Sequence, residues 1–329
     1  MQSHEFEIRP PWEPRRLDAL LADRYPQFSR EEWQERIRSH RVLVNEAHCK
    51  PARKLQTGDR IRFFFEKPPE PEVNRDYRIV HSDDCLLIID KPANLPVHPS
   101  GIYHKNTLHH LLKEKFGDDF KAHFISRLDR ETSGLMLMAR TSIMARELQK
   151  QMRAGQIRKE YRALVDLETA GTAFPGYMDA RGFLYPHPNS VIRKKQAFSA
   201  DLPDDLPASI RMRARPVRTE FSGDRRKKNI QLIRARLHTG RMHQIRATLC
   251  SLGYPMIGDR LYGRDESLYL EMIQIKNPHQ EAEIRRRAFE ILHLEFTALH
   301  SSRLEFTHPA SNRLIAFESD LPAHFFNLL

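Results

Sequence analysis

The chain has 329 residues, 40% of them apolar, and its 54 Lys and Arg against 43 Asp and Glu give a net charge of +11. That is enough length and apolar content for one large core plus a small one, which excludes a disordered tail protein, and a pI near 9.6 favours a polyanionic partner such as nucleic acid. Cys49, Cys85 and Cys250 show no C-x-x-C spacing, no stretch approaches membrane-span length, and MQSHEFEIRPPWEP lacks a signal peptide's apolar centre; no disulfide framework, zinc ribbon or membrane partner is expected, and the expected location is the cytoplasm.

Residues 1–14 read as an N-terminal arm, and residues 15–66 as a compact unit. Leu17, Leu20 and Leu21, then Trp33 and Ile37, fall at helical spacing, with Ser29 placed to cap a second helix beginning near Arg30. Val42 to Val44 and Ile61 to Phe65 read as strands, and Thr57-Gly58-Asp59 as a turn. Between Arg30 and Arg62 nine basic residues, Arg30, Arg38 and Arg41 among them, face five acids, an excess suited to phosphate contacts. The pattern S-R-x-x-W-Q-x-x-I-R, then R-V-L-V-N and L-x-x-G-D-R-I, resembles the S4 RNA-binding module over most of its length. That resemblance implies that Arg30, Arg38 and Arg41 contact RNA.

Lys67 to Asp76, with three prolines and alternating charges, reads as an extended linker, so a second domain is expected over 77–329. Tyr77 to Val80 and Leu86 to Asp90 read as paired strands around the polar turn His81 to Asp84, and Lys91-Pro92 ends the second. Asn106 to Phe116 places Leu108, Leu111, Leu112 and Phe116 on one helical face. His98, between prolines, reads as structural or as a phosphate contact. His109 and His110 point to different sides with no carboxylate at ligand spacing, so no metal site is expected.

Phe124 to Arg140, FISRLDRETSGLMLMAR, sets two Arg, an Asp, a Thr-Ser pair and a Gly directly against an apolar run. The run Leu135 to Ala139 reads as a buried strand and the polar segment as a loop delivering side chains to its edge. Ile157 to Val165 reads as a further strand, centred on Tyr161. Residues 166–230 are punctuated by Pro and Gly and carry two basic clusters, Arg193 to Lys195 and Arg225 to Lys228, with Asp201 to Arg211 read as an added loop. Gln231 to Leu237 reads as a strand and Met242 to Leu252 as a helix. Arg241, His243, Gln244 and Arg246 converge at its start, where amides and arginines suit a phosphate or a carboxylate.

The string SRLDRETSGL closely resembles H-R-L-D-R-x-T-S-G-L, the signature of the RluA-type pseudouridine synthases, with Ser126 in place of the usual His. YRIVHSDDCLLIIDKPANLPVHPSG resembles the same family's entry segment, KEYRALV its K-x-Y-x-A-L-V strand, and TGRMHQIR its T-G-R-x-H-Q-I-R motif, after which Thr248 replaces a final His. The closing segment, Leu299 to Phe325, follows the family as two strands and a tail.

The resemblance spans nearly the whole chain. It implies an α+β fold: a synthase domain with a large, mixed, mostly antiparallel sheet, preceded by the small S4-like module. The reaction implied is isomerisation of uridine to pseudouridine within RNA, with no metal or organic cofactor. By that resemblance Asp129 is the catalytic aspartate, Arg246 its paired cation and Tyr161 the ring that stacks on the target base. Arg127 occupies or guards the gap left by the flipped base, and Arg130, Arg241 and Gln244 join it in binding substrate. Attack on C1′, attack on the pyrimidine ring and a glycal route all remain open for Asp129. Large-subunit ribosomal RNA is the expected substrate and a monomer the expected state. PVHPSGIYHKNTL resembles relatives acting on tRNA, and an RNA-binding protein without catalysis is the alternative from another class.

Overall fold

The computed structural model of the chain describes residues 2–9, 14–26, 28–65, 70–121, 123–273 and 278–329. It divides into two compact units, Met1–Pro69 and Glu70–Leu329.

In the first unit β1 (Gln2–Glu7), α1 (Leu17–Arg24), α2 (Arg30–Arg38), β2 (Val42–Val44) and β3 (Arg60–Phe65) follow in order. The three strands form an antiparallel sheet in the order β1-β3-β2, so part of the segment expected to be an arm is the outer strand of this sheet. The helical spacing of Leu17, Leu20, Leu21, Trp33 and Ile37 places those residues in one core with Val42, Val44, Ile61 and Phe63. Ser29 caps α2 reciprocally: its Oγ accepts from the Glu32 amide at 3.3 Å, and Glu32 Oε2 accepts from the Ser29 amide at 2.6 Å. Such a cap is worth about 1 kcal/mol.

Of the expected linker, residues 67–69 lie outside the described residues. Residues 70–76 carry neither helix nor strand. Glu70 accepts backbone N–H bonds from His104, Lys105 and Asn106, and the Asn106 side chain donates to the Pro71 carbonyl at 2.8 Å, so this stretch is fastened to the second unit.

The second unit runs β4 (Arg78–Ser82), β5 (Leu86–Lys91), α3 (Leu108–Phe116), β6 (His123–Phe124), β7 (Ser133–Ala139), α4 (Ser142–Arg153) and β8 (Arg158–Asp166). It continues with α5 (Leu167–Ala170), β9 (Tyr177–Pro186), β10 (Gln196–Ser199), α6 (Ala208–Arg211), β11 (Arg215–Lys227), β12 (Ile230–Leu237), α7 (Gln244–Ser251), α8 (Ser267–Ile273) and α9 (Pro278–Leu292). β13 (Leu299–Thr307), β14 (Leu314–Glu318) and α10 (Ala323–Phe326) close it. The eleven-stranded sheet follows the order β10-β9-β11-β12-β8-β13-β7-β5-β4, with β14 on β13 and β6 on β7. Its pairings are antiparallel except β13 with β7. The expected large mixed sheet is therefore present. The region 166–230, opaque in sequence, supplies one wing of it as β9, β10 and β11.

β13 is the strand that assembles the site. Ser301 pairs with Gly134 of β7 on one side and with Tyr161 of β8 on the other, which brings together two motifs that α4 separates in the chain. Gly134 is required there. Its φ is +104° and a Cβ would lie 2.3 Å from the Ser301 carbonyl oxygen, so no side chain fits between the strands. β7 itself is buried along its whole length, as its apolar run demands.

Candidate active site

The polar segment ahead of β7 is held from below by a buried lysine. Lys91 is fully enclosed and its Nζ donates to the carbonyls of Pro92 at 2.8 Å and Arg130 at 3.1 Å, while the Leu95 amide also donates to the Arg130 carbonyl. Burial pushes the Lys91 pKa down to about 7, with Asp129 among the charges opposing the shift. The loop that carries Asp129 is thus tied to the end of β5 by backbone contacts rather than by its own side chains.

The Asp129 side chain is 32% exposed. Its Oδ2 accepts from Arg246 Nη1 at 2.7 Å. Burial opposes the charge of this carboxyl, but the Arg246 guanidinium outweighs it and holds the pKa below the usual carboxylate range. Arg246 reaches the site because Asp259 holds its other side: Nε donates to Oδ2 at 2.7 Å and Nη2 to Oδ1 at 2.8 Å, a bidentate pair. Asp259 is fully buried, and its Oδ1 also accepts the amides of Leu261 and Tyr262. The guanidinium lies 5.1 Å from the centre of the Tyr262 ring. One rigid cation is therefore shared by a sealed carboxylate and an accessible one.

Tyr161 is 6% exposed and belongs to the main core cluster, yet it stands close enough to Asp129 to feel its charge. Burial first, and Asp129 in addition, push the phenol up to about 12. Its hydroxyl stays protonated at neutral pH.

The helix expected from Met242 begins instead at Gln244. His243 has φ +55°, in the left-handed region, and ends the preceding turn. Gln244 builds that turn: its Oε1 accepts from Thr239 Oγ1 at 2.9 Å and the Arg241 amide at 3.0 Å, and its Nε2 donates to Thr219 Oγ1 at 2.9 Å and the Arg218 carbonyl at 3.2 Å. A buried amide so fully bonded shapes the loop and has no donor left for substrate. His243 Nδ1 lies 3.0 Å from the Tyr262 hydroxyl, and its Nε2 lies 3.8 Å from Asp129 Oδ1. Burial and then Arg246 drive its pKa down to about 4, so it is neutral beside Asp129.

The remaining expected substrate contacts divide by what already holds them. Arg130 donates to the Tyr103 hydroxyl at 2.6 Å and to Glu131 at 2.9 Å, which fixes it within the loop. Arg30 is bound to the buried Asp18 at 3.1 Å, together with Arg16 and Gln34, so it stabilises the first unit's helices. Arg38 is paired with Glu35 at 3.6 Å. Arg41, Arg127 and Arg241 are exposed. His98 packs its ring against Phe124 with centroids 4.4 Å apart, which accounts for it structurally.

Among the described residues, Asp83, Cys85 and His308 form one group with ligand atoms close together. His308 Nδ1 accepts the amides of Ala310 and Ser311, so the proton of a neutral ring sits on Nε2, which lies 3.1 Å from Asp83 Oδ2. Asp83 Oδ1 accepts the amides of Cys85 and Leu86. This is a hydrogen-bonded turn between β4 and β5, and its nitrogen is in the wrong tautomer for a metal.

Comparison with known proteins shows the family. The RNA pseudouridylate synthase family pattern matches residues 85–251, and the S4 domain pattern matches residues 15–61. The chain is 31% identical to the "Ribosomal large subunit pseudouridine synthase D" of Nitrosomonas europaea over 93% of its own length and 81% of that protein. It is 29% identical to an RNA pseudouridine synthase of Aquifex aeolicus over 98% of its own length and 95% of that protein. Among solved structures, human RNA Pseudouridylate Synthase Domain Containing 4 superposes with a TM-score of 0.53 at 22% identity, covering 76% of this chain and 90% of that one, a likeness of fold.

Proposed function

Because this chain belongs to the RNA pseudouridylate synthase family, we propose that it isomerises particular uridines of large-subunit ribosomal RNA, with Asp129, Tyr161 and Arg246 as the reacting constellation. The observation that carries the reading is the 2.7 Å contact of Arg246 with Asp129, in which Arg246 is itself clamped by a buried aspartate. A carboxylate kept ionised yet accessible is a nucleophile or a base ready at neutral pH.

The chemistry balances without any added group. The N1–C1′ bond breaks, the base turns, C5–C1′ forms, N1 gains a proton and C5 loses one, with no oxidation and no hydrolysis. Asp129 either adds to the nucleotide or takes up a proton from it. Arg246 keeps Asp129 charged and oriented, and the His243 beside it is neutral. The target base must leave its stack to reach Asp129, and the Tyr161 ring restores part of that lost stacking, typically ~1–3 kcal/mol per base. Exposed Arg127 and Arg241 would contact the RNA around that base, with the S4 module as a second grip.

The large-subunit assignment is supported by the names of relatives from Nitrosomonas europaea, Neisseria meningitidis and Haemophilus influenzae. Its test is a map of pseudouridines in total RNA from a strain deleted for this protein and from the same strain complemented. Sites lost on deletion and restored on complementation are expected in large-subunit rRNA. Loss confined to tRNA would overturn the assignment while leaving the reaction intact.

A further inference from the structure

We propose that Lys159 is a phosphate-binding residue of the substrate cleft: its ammonium, rising beneath Gly240 beside the exposed Arg241, takes one phosphodiester of the RNA strand whose base meets Tyr161. The inference rests on Asp129, Tyr161 and Arg246 being the reacting site.

Strand geometry sets the position. Lys159 and Tyr161 are two residues apart on β8, so they project from the same face of the sheet, about 6.6 Å apart along the strand. Residues 158, 160 and 162 project from the other face, where Arg158 meets Glu305 and Arg162 meets Asp224. A base against Tyr161 would therefore hold its own or a neighbouring phosphate within reach of Lys159.

The side chain also lacks a partner. Lys159 is only 7% exposed. Four cationic side chains are buried among the described residues: Lys91, Lys159, Arg246 and Arg260. Lys91 donates to two carbonyls, Arg246 to two carboxylates, and Arg260 to the Glu295 carbonyl and Glu131. Lys159 alone has neither a hydrogen-bond acceptor nor a carboxylate partner. Burial by itself lowers its pKa, to about 8, with no charge opposing the shift. A mostly buried cation with no protein acceptor keeps its hydrogen-bonding capacity free for an anionic ligand. Nζ lies under the exposed Gly240, where a Cβ would stand 3.5 Å from it, so the backbone there carries no side chain over the ammonium.

A phosphodiester fits because it is a permanent anion and every nucleotide of the bound strand carries one, whereas uracil offers neutral carbonyls. The test is the salt dependence of binding of a fluorescent oligouridylate to the full chain, for wild type, Lys159→Met and Lys159→Arg. Each phosphate contact with a single strand contributes about 0.7 to the slope of log affinity against log salt. Lys159→Met is expected to flatten the slope by about that amount and to weaken oligouridylate and oligoadenylate alike, while Lys159→Arg keeps the slope. An unchanged slope in a folded Lys159→Met protein overturns the proposal, as does weakening of oligouridylate alone, which would mean a contact to the base. If Lys159→Met does not fold, oligouridylates with single methylphosphonate substitutions, bound to wild type and Lys159→Arg, replace it. The idea would then be overturned if no methylphosphonate position flattened the slope. Pseudouridine formation by the wild type is scored separately, so a failed synthase reading and a failed phosphate site give different results.

Discussion

The sharing of one guanidinium by two carboxylates changes what a substitution at Arg246 will do. Arg246→Met would strip Asp129 of its partner, but it would also orphan Asp259, which has no exposure at all. Breaking a buried pair from one side costs about 3–5 kcal/mol. For a unit of this size that is a fall in Tm of roughly 6–20 °C. Adding Asp259→Asn should recover most of it, since the amide oxygen can still accept from the Leu261 and Tyr262 amides and no buried charge is left. The double variant then isolates the effect on Asp129. Without an opposite charge at contact distance its pKa should rise. Asp129 acts as the ionised form, so activity is present above its pKa and lost as pH falls through it, and an upward shift moves that loss toward neutrality. The ratio of turnover at pH 5.5 to turnover at pH 8 should then be lower in the double variant than in wild type. Thermal melts and single-turnover tritium release from RNA carrying 5-tritiated uridine measure the two halves. A double variant whose pH profile runs parallel to wild type would refute the ion-pair argument, and an Arg246→Met protein that melts like wild type would refute the burial argument.

Tyr161→Phe should keep oligouridylate affinity, whereas Tyr161→Leu should lose it along with about 2–4 kcal/mol of stability from the core the ring fills, read by anisotropy and denaturant titration; equal turnover of the two would return Tyr161 to a packing role alone. In the first unit Arg41→Ala should reduce the salt slope of RNA binding by about 0.7–0.9 with little change in Tm, and Arg30→Ala should do the reverse, because Arg30 serves Asp18. The opposite pattern would sink that division of labour. Gly134→Ala should destabilise the second unit by several kcal/mol, on the order of other severe core overpacking, because its Cβ would strike the Ser301 carbonyl at 2.3 Å; a wild-type denaturation midpoint would contradict the close strand approach.

The readable parts of this chain are those where one short stretch carries its own signal. The apolar run of β7 against its charged loop, the capped α2 and the alternation in β8 are local, and each appears where its residues place it. Asp129 and Arg246 lie 117 positions apart, yet each stands in a recognisable motif, which is why their contact could be anticipated. What could not be read depends on long-range packing. Asp259 follows Gly258 at a turn with nothing local to mark it as the clamp on Arg246. Gln244 looks like a donor at a helix start until four partners are seen to consume it. Ser301 is one serine in a closing strand, and only the sheet order reveals that it joins β7 to β8. Arg30 reads as one more cation in a basic module, because the Asp18 that claims it is twelve positions away.

The central claim is that Asp129 performs the isomerisation, and tritium release from transcribed large-subunit rRNA carrying 5-tritiated uridine tests it most directly. Asn preserves the size of the side chain and removes its charge and nucleophilicity, so Asp129→Asn should bind the transcript with near wild-type affinity and release no tritium above background, while the wild type releases it stoichiometrically with pseudouridine. Release by Asp129→Asn at the wild-type rate would contradict the account.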